Sequence, residues 1–247
     1  MFGRGPLVSV DLKKVPRLGV IPRYAKDESE MKWFEVSGWN NLHTINAWEE
    51  DGGDTIVMVA TNILSVEHLM ERMDLIHASV EMARIDIKTR MVSRHPLSTR
   101  NLDLSVINPA FVGVKNRLRE GAVCHGLPLV TSLFVLGVCS FLGIVKLDMS
   151  LSEVHQQECI VACRMFGPGC FGGEPFFVAK EPNHPDADED DGYIVSHVHN
   201  EKTRESRFLV MDAKSPTLEI ICVLKLPHRV PYGFHGLFVR ESDINKL

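Results

Sequence analysis

The chain alternates short apolar stretches with clusters of glycine, proline, asparagine and aspartate. Such stretches are RLGVIP (17–22), MKWFEV (31–36), TIVMVA (55–60), ARIDI (83–87), LDLSVI (102–107), ECIVACRMF (158–166), EPFFVA (174–179), YIVSHV (193–198), RFLVMDA (207–213) and LEIICVLKL (218–226). Rich in β-branched and aromatic residues and bounded by turn formers, they predict the strands of an all-β fold. Helical spacing occurs once, in VEHLMERMDLIH (66–77). There Val66, Leu69, Met70, Met73 and Ile76 recur at intervals of three and four and predict one short helix. Short strands without intervening helices fit a sandwich, a barrel or part of a propeller, and periodicity does not choose among these. No repeat of fixed period is visible and no linker divides the chain.

From Gly121 to Val145 no residue carries a formal charge, and GLPLVTSLFVLGVCSFLGIV within that run is about as long as a transmembrane helix. A buried strand pair, a membrane span and a segment foreign to the fold are the three readings. Pro128, Gly137, Gly143 and the many β-branched residues weigh against a span.

Composition narrows the partners. Of 247 residues, 45% are hydrophobic and 24% charged, so a folded core is expected. The net charge of −5 provides no positive field for nucleic acid. The 6 cysteines are too few and too irregular for a secreted disulfide framework and point to a reducing compartment. MFGRGPLVSVDLKKVPRLG shows neither a signal-peptide core nor a transit-peptide pattern.

Four short patterns suggest chemistry and have plainer explanations. Gly167, Gly169 and Gly172 spell a dinucleotide string, but the strand-like EPFFV that follows makes it a turn. Asp186, Asp188 and Asp190 alternate as in a calcium loop, yet Asp191 stands where glycine is required, which predicts a solvated acidic loop. His155, Cys159 and Cys163 share a face only on a helix, and His197 with His199 on a strand. Each set could ligate a metal, and each lacks a complete ligand set.

Longer strings carry a resemblance. LHTINAWEEDGGDTIVMVA (42–60), RMFGPGCFGGEPFFVA (164–179) and VPYGFHGLFVRESDINKL (230–247) resemble the carotenoid cleavage dioxygenases. VPRLGVIPRYAKDESEMKWFEV (15–36), HPLSTRNLDLSVINPAF (95–111) and FLVMDAKSPTLEI (208–220) extend the likeness and are most similar to the plant type-four subgroup. The resemblance implies that residues 1–247 form an incomplete, C-terminal part, three to four blades, of a seven-bladed β-propeller. Its axis would hold Fe(2+) on four histidines. His43 and His235 match the third and fourth iron ligands, the other two belonging to preceding sequence. Glu174 matches a glutamate that orients a ligating imidazole, and Asp103 stands where much of the family has glutamate.

The implied activity is cleavage of a carotenoid or apocarotenoid double bond by dioxygen into two carbonyl products, in a chloroplast or other plastid, with a lipid surface as the working place. The metal centre does the catalytic work, so no acid, base or nucleophile is named. Two departures qualify this. Half a propeller leaves strand edges open, which predicts impaired activity and self-association. LREGAVCHGLPLVTSLFVLGVCSFLG (118–143) departs from the family pattern and is expected to replace at least one blade strand. The alternatives to an enzyme are a catalytically silent carotenoid-binding or interaction protein without metal, and a protein inserted in a membrane by 126–145.

Overall fold

In the computed structural model, residues 8–69, 72, 75–124, 141–151, 158–182, 184, 186–231 and 235–244 are described. They form fifteen strands: β1 (Arg17–Val20), β2 (Lys32–Glu35), β3 (Asn41–Glu50), β4 (Thr55–Ile63), β5 (Ala78–Asp86), β6 (Val92–Pro96), β7 (Leu102–Val106), β8 (Leu118–Cys124), β9 (Phe141–Asp148), β10 (Ile160–Met165), β11 (Cys170–Gly172), β12 (Phe176–Ala179), β13 (Gly192–Asn200), β14 (Glu205–Asp212) and β15 (Ile220–Lys225). A short α-helix, α1, covers Glu241–Ile244.

The strands group into successive antiparallel meanders of four: β3 to β6, β7 to β10, and β12 to β15. A hairpin, β1–β2, precedes them, and β11 links the second meander to the third by pairing with both β9 and β13. Alternation along β9 explains how the layers stack. Val145 and Leu147 face a core shared with Val57, Val59, Val80 and Met82 of the first meander. Ile144 faces the opposite way, into a core with Ile194, Val198, Leu209 and Met211 of the third. A strand buried on both faces is therefore the middle layer, and each apolar face of it closes against a neighbouring sheet.

Lys146 lies on the Ile144 face and is 5% exposed. Its ammonium reaches Asp190 Oδ2 at 2.5 Å and the Ala213 carbonyl at 2.8 Å. The acidic loop around 186–192 is thus not simply solvated, as its composition suggested. Asp190 neutralises a buried lysine, Asp188 and Asp191 hold Lys214, and Glu189 accepts the backbone N–H groups of Arg117 and Leu118.

Among the described residues of 66–77 there is no continuous helix: a 3₁₀ turn covers Val66–His68, after which Leu69 is extended at φ −60°, ψ 129°. The apolar spacing there has another cause: Val66 and Leu69 pack on Ile63, Ile76 and Ala78 at the end of the sheet. Met70 and Met73 lie outside the described residues. At the two ends of the uncharged segment, β8 and β9 pair from Leu118↔Asp148 to Cys124↔Phe141, so strand pairing is present there. Residues 125–140 lie outside the described set. Among the described residues no helix is long and apolar enough to cross a membrane.

Candidate metal centre

The site gathers at the leading strands of the meanders, two of its residues lying on them, one just ahead of one, and one brought in from beyond the last strand. His43 lies on β3, Asp103 on β7, and Glu174 just before β12. His235 comes from the chain beyond β15.

Bulges aim the first two. The β3–β4 register slips between Asn41 and His43 and again between Thr44 and Asn46. The β7–β8 register slips between Asp103 and Val106, and Leu104 there takes a φ of 46°. A bulge re-aims a side chain at the expense of ladder bonds, and a left-handed leucine costs on the order of 1 kcal/mol. Both irregularities flank the hydrogen bond they serve: His43 Nδ1 to Asp103 Oδ1 at 2.8 Å. Asp103 is nearly buried. Its hydrogen bond raises the His43 pKa above the ordinary histidine value, burial opposes this, and the charges of Asp103 and then Glu174 add to the rise.

Glu174 uses both oxygens. Oε1 lies 3.2 Å from His235 Nδ1, and Oε2 accepts the Gly236 N–H at 2.9 Å. It is fixed from behind by Gly173, whose N–H donates to the His197 carbonyl at 2.9 Å and whose carbonyl accepts the Ser196 hydroxyl at 3.1 Å. The imidazoles of His43 and His235 meet nearly perpendicular, with ring centroids 5.2 Å apart and planes at 84°. Each Nδ1 is occupied by a carboxylate, which leaves each Nε2 for a ligand.

That donor set suits a divalent transition metal: neutral imidazoles with carboxylates fixing their tautomers. Imidazoles sharing one ion through Nε2, with a metal–nitrogen bond of ~2.1 Å, place their centroids roughly 4.5–5.3 Å apart, which brackets the observed separation. Among the described residues no group of three or more His, Cys, Asp or Glu side chains is placed to hold a metal ion by itself, so these two imidazoles make at most part of a ligand set.

The weaker candidates separate. Gly167 and Gly169 have φ of 97° and 74°, and Cys170 N–H closes a turn onto the Gly167 carbonyl. Cys159 is buried ahead of β10 and Cys163 lies on that strand, not on a helix, while His155 falls outside the described residues. His197 lies against Phe208, its pKa lowered by burial, and His199 is bonded to Ser206. Motif reading missed two features. Thr61, opposite His43 in the ladder, is fully buried with a hydroxyl lacking a hydrogen-bond partner. Glu81, also buried, accepts from Asn62 and Arg94, and Arg94 in turn donates to the carbonyls of Ser37 and Gly38 just ahead of β3.

Stacked four-stranded meanders with a site on their leading strands define part of a β-propeller. The solved structures agree. Cobalt-substituted apocarotenoid oxygenase (ACO) from Synechocystis superposes with a TM-score of 0.72 at 22% identity, covering 91% of this chain and 44% of that one. An ACO/RPE65 chimera gives 0.70 at 23% identity, over 90% and 43%. The family profile described as RPE65, retinal pigment epithelial membrane protein, matches residues 2–240, and the chain belongs to this carotenoid oxygenase family.

Among curated proteins, "Probable carotenoid cleavage dioxygenase 4, chloroplastic" of Arabidopsis thaliana is 57% identical over 98% of this chain and 39% of its own length. "9-cis-epoxycarotenoid dioxygenase NCED1, chloroplastic" of Oryza sativa subsp. japonica is 52% identical over 99% and 36%. "Zeaxanthin 7,8(7',8')-cleavage dioxygenase, chromoplastic" of Crocus sativus is 49% identical over 96% and 61%. The chain therefore spans 39%, 36% and 61% of the lengths of these three relatives.

Proposed function

We propose that the chain is part of an Fe(II)-dependent dioxygenase that cleaves a double bond of a carotenoid or apocarotenoid, with dioxygen as co-substrate, into two carbonyl products. The observation that carries this is the meeting of His43 and His235, each with its Nδ1 on its own carboxylate, at a centroid separation of 5.2 Å. Both would ligate through Nε2. Asp103 and Glu174 would keep the proton on Nδ1 and lock ring orientation. Ferrous iron, when bound, supplies the electrons that activate dioxygen; the residues named here hold and orient ligands.

An apolar cleft adjoins His235, with Phe176, Val198, Val230 and Pro231 on its walls. A polyene lacking polar groups is gripped by such area and shape. The names of the plant relatives support a carotenoid-class substrate and a plastid setting. The chain's share of its relatives' length makes reduced turnover the expectation for the 247 residues alone, and the all-exposed strand β15 offers an edge for pairing with a second chain.

Ferrous reconstitution without oxygen, followed by carotenoid and ¹⁸O₂, tests the activity. Labelled aldehyde or ketone products, absent from His43→Ala, are expected. Unlabelled products, or equal yield from the variant, would reject it. A second reading, a carotenoid-binding chain without iron, rests on the ligand count: two imidazoles hold ferrous iron more weakly than four. Iron-free protein that retains pigment would favour it.

A further inference from the structure

The chain from Leu226 to Val230 runs along the β13–β14 hairpin before reaching His235, and one buried serine holds it twice. The Ser206 carbonyl accepts Leu226 N–H at 2.9 Å, and Ser206 Oγ accepts Val230 N–H at 3.1 Å. Ser206 is 2% exposed, and its Oγ lies 2.9 Å from Nδ1 of His199, itself 3% exposed. The two are ladder partners across the hairpin.

Ser206 Oγ accepts from Val230 and has a second lone pair and a proton left, so its bond with Nδ1 runs in the direction the His199 tautomer sets, while Nε2 lies on the other side of the ring. That nitrogen faces Glu201 Oε2 at 3.9 Å, and Glu201 Oε1 holds the Arg229 guanidinium at 3.2 Å. Arg229 and Val230 are consecutive, so the contacts close a ring: Val230 N–H, Ser206, His199, Glu201, Arg229. The trio resembles a nucleophile relay only superficially, since Ser206 is buried and its oxygen already occupied by a backbone donor.

The same hairpin also fixes the other support of His235. Gly173 is bonded to β13 at the His197 carbonyl and the Ser196 hydroxyl, and Glu174 follows it. The carboxylate that meets His235 and the chain that delivers His235 are therefore referenced to one hairpin. We propose that Ser206, backed by His199 and Glu201, is a positioning residue that sets the His235 imidazole on Glu174 and opposite His43. This rests on the metal centre proposed above and names a determinant of it that neither ligand motif contains.

The test uses the whole 247-residue chain with two readouts. One is backbone hydrogen exchange, including the Gly236 amide that donates to Glu174; the other is Co(II) affinity from the ligand-field absorption spectrum. Ser206→Ala is expected to speed exchange over 226–236 about tenfold, leave β3 to β5 unchanged, and weaken Co(II) about tenfold, with Ser206→Thr recovering most of both. Arg229→Ala opens the ring at an exposed residue and is expected to move both readouts about threefold; it decides the matter if Ser206→Ala does not fold. Unchanged Gly236 exchange overturns the proposal. Faster exchange with unchanged Co(II) affinity also overturns it, leaving Ser206 a purely structural clamp. Failure of the metal centre itself has a separate signature: His235→Ala without effect on Co(II), while exchange still reports whether Ser206 sets the His235 segment.

Discussion

The two imidazoles of the site are held in opposite ways. His43 belongs to a ten-residue strand, its side chain is 22% exposed, and its carboxylate partner is nearly buried. Behind it the Asn62–Glu81–Arg94 network ties residues 37–41 to the sheet. His235 lies outside any strand, its side chain is 60% exposed, and it depends on Glu174 and on contacts made several residues earlier. A ligand on a strand inherits the stability of the sheet, whereas a ligand on a connecting segment is only as ordered as its local fastenings. Perturbing one side should therefore damage the fold, and perturbing the other should damage the site alone.

The largest effect is expected from Glu81→Ala. It leaves Arg94 and Asn62 without their shared acceptor, and Glu81 is 6% exposed while Arg94 is partly solvated, so a loss of about 2–3 kcal/mol in urea unfolding is expected. A loss below about 0.5 kcal/mol would mean that the network does not anchor the His43 side.

Next come the two carboxylates. Glu174 serves two donors with two oxygens, and glutamine has only one acceptor, so Glu174→Gln must abandon either His235 or Gly236. Asp103→Asn can keep its single bond to His43 through the amide oxygen. Metal affinity, by isothermal titration, should fall about 30-fold in the first variant and about 10-fold in the second, with little change in melting temperature. The reverse order would break the contrast.

A smaller effect concerns the far end of β3. Burial acts to raise the Glu50 pKa, but together the Trp48 N–H it accepts and its pairs with Arg84 and Lys115 outweigh this and lower it from 4.5 to about 2. A depressed carboxyl stabilises the fold above its unfolded pKa and loses that contribution as pH falls toward the folded one. The free energy of unfolding should thus drop by roughly 1 kcal/mol between pH 4.5 and about 2, and Glu50→Gln should flatten that slope. Smallest of all, Lys88→Ala, which removes the exposed pair with Asp54, should leave the urea midpoint unchanged.

What the sequence reveals follows the same division. Strands with continuous apolar runs, such as those within 55–60, 193–198 and 207–213, are legible because they are buried on one or both faces. β6 is not, since VSRHP is mostly polar on an edge, and β11 is three residues long. The stripe at 66–77 misleads because packing against a sheet end also places apolar residues three and four apart.

At the site, His43, Asp103, Glu174 and His235 are visible through resemblance alone, since no local pattern connects residues 60 or 61 positions apart. The bulges that aim them leave no mark, for Leu104 adopts positive φ without a glycine. Ser206 is hidden within EKTRESRF, where polar residues describe an ordinary hairpin turn. Its role exists only once the C-terminal segment folds over it.

The most direct measurement is iron content per chain after anaerobic loading and desalting, for the 247-residue protein beside His43→Ala and His235→Ala. A shared centre requires measurable iron in the unsubstituted chain and a loss of it in both variants. Equal iron in all three proteins would show that these imidazoles do not hold the ion.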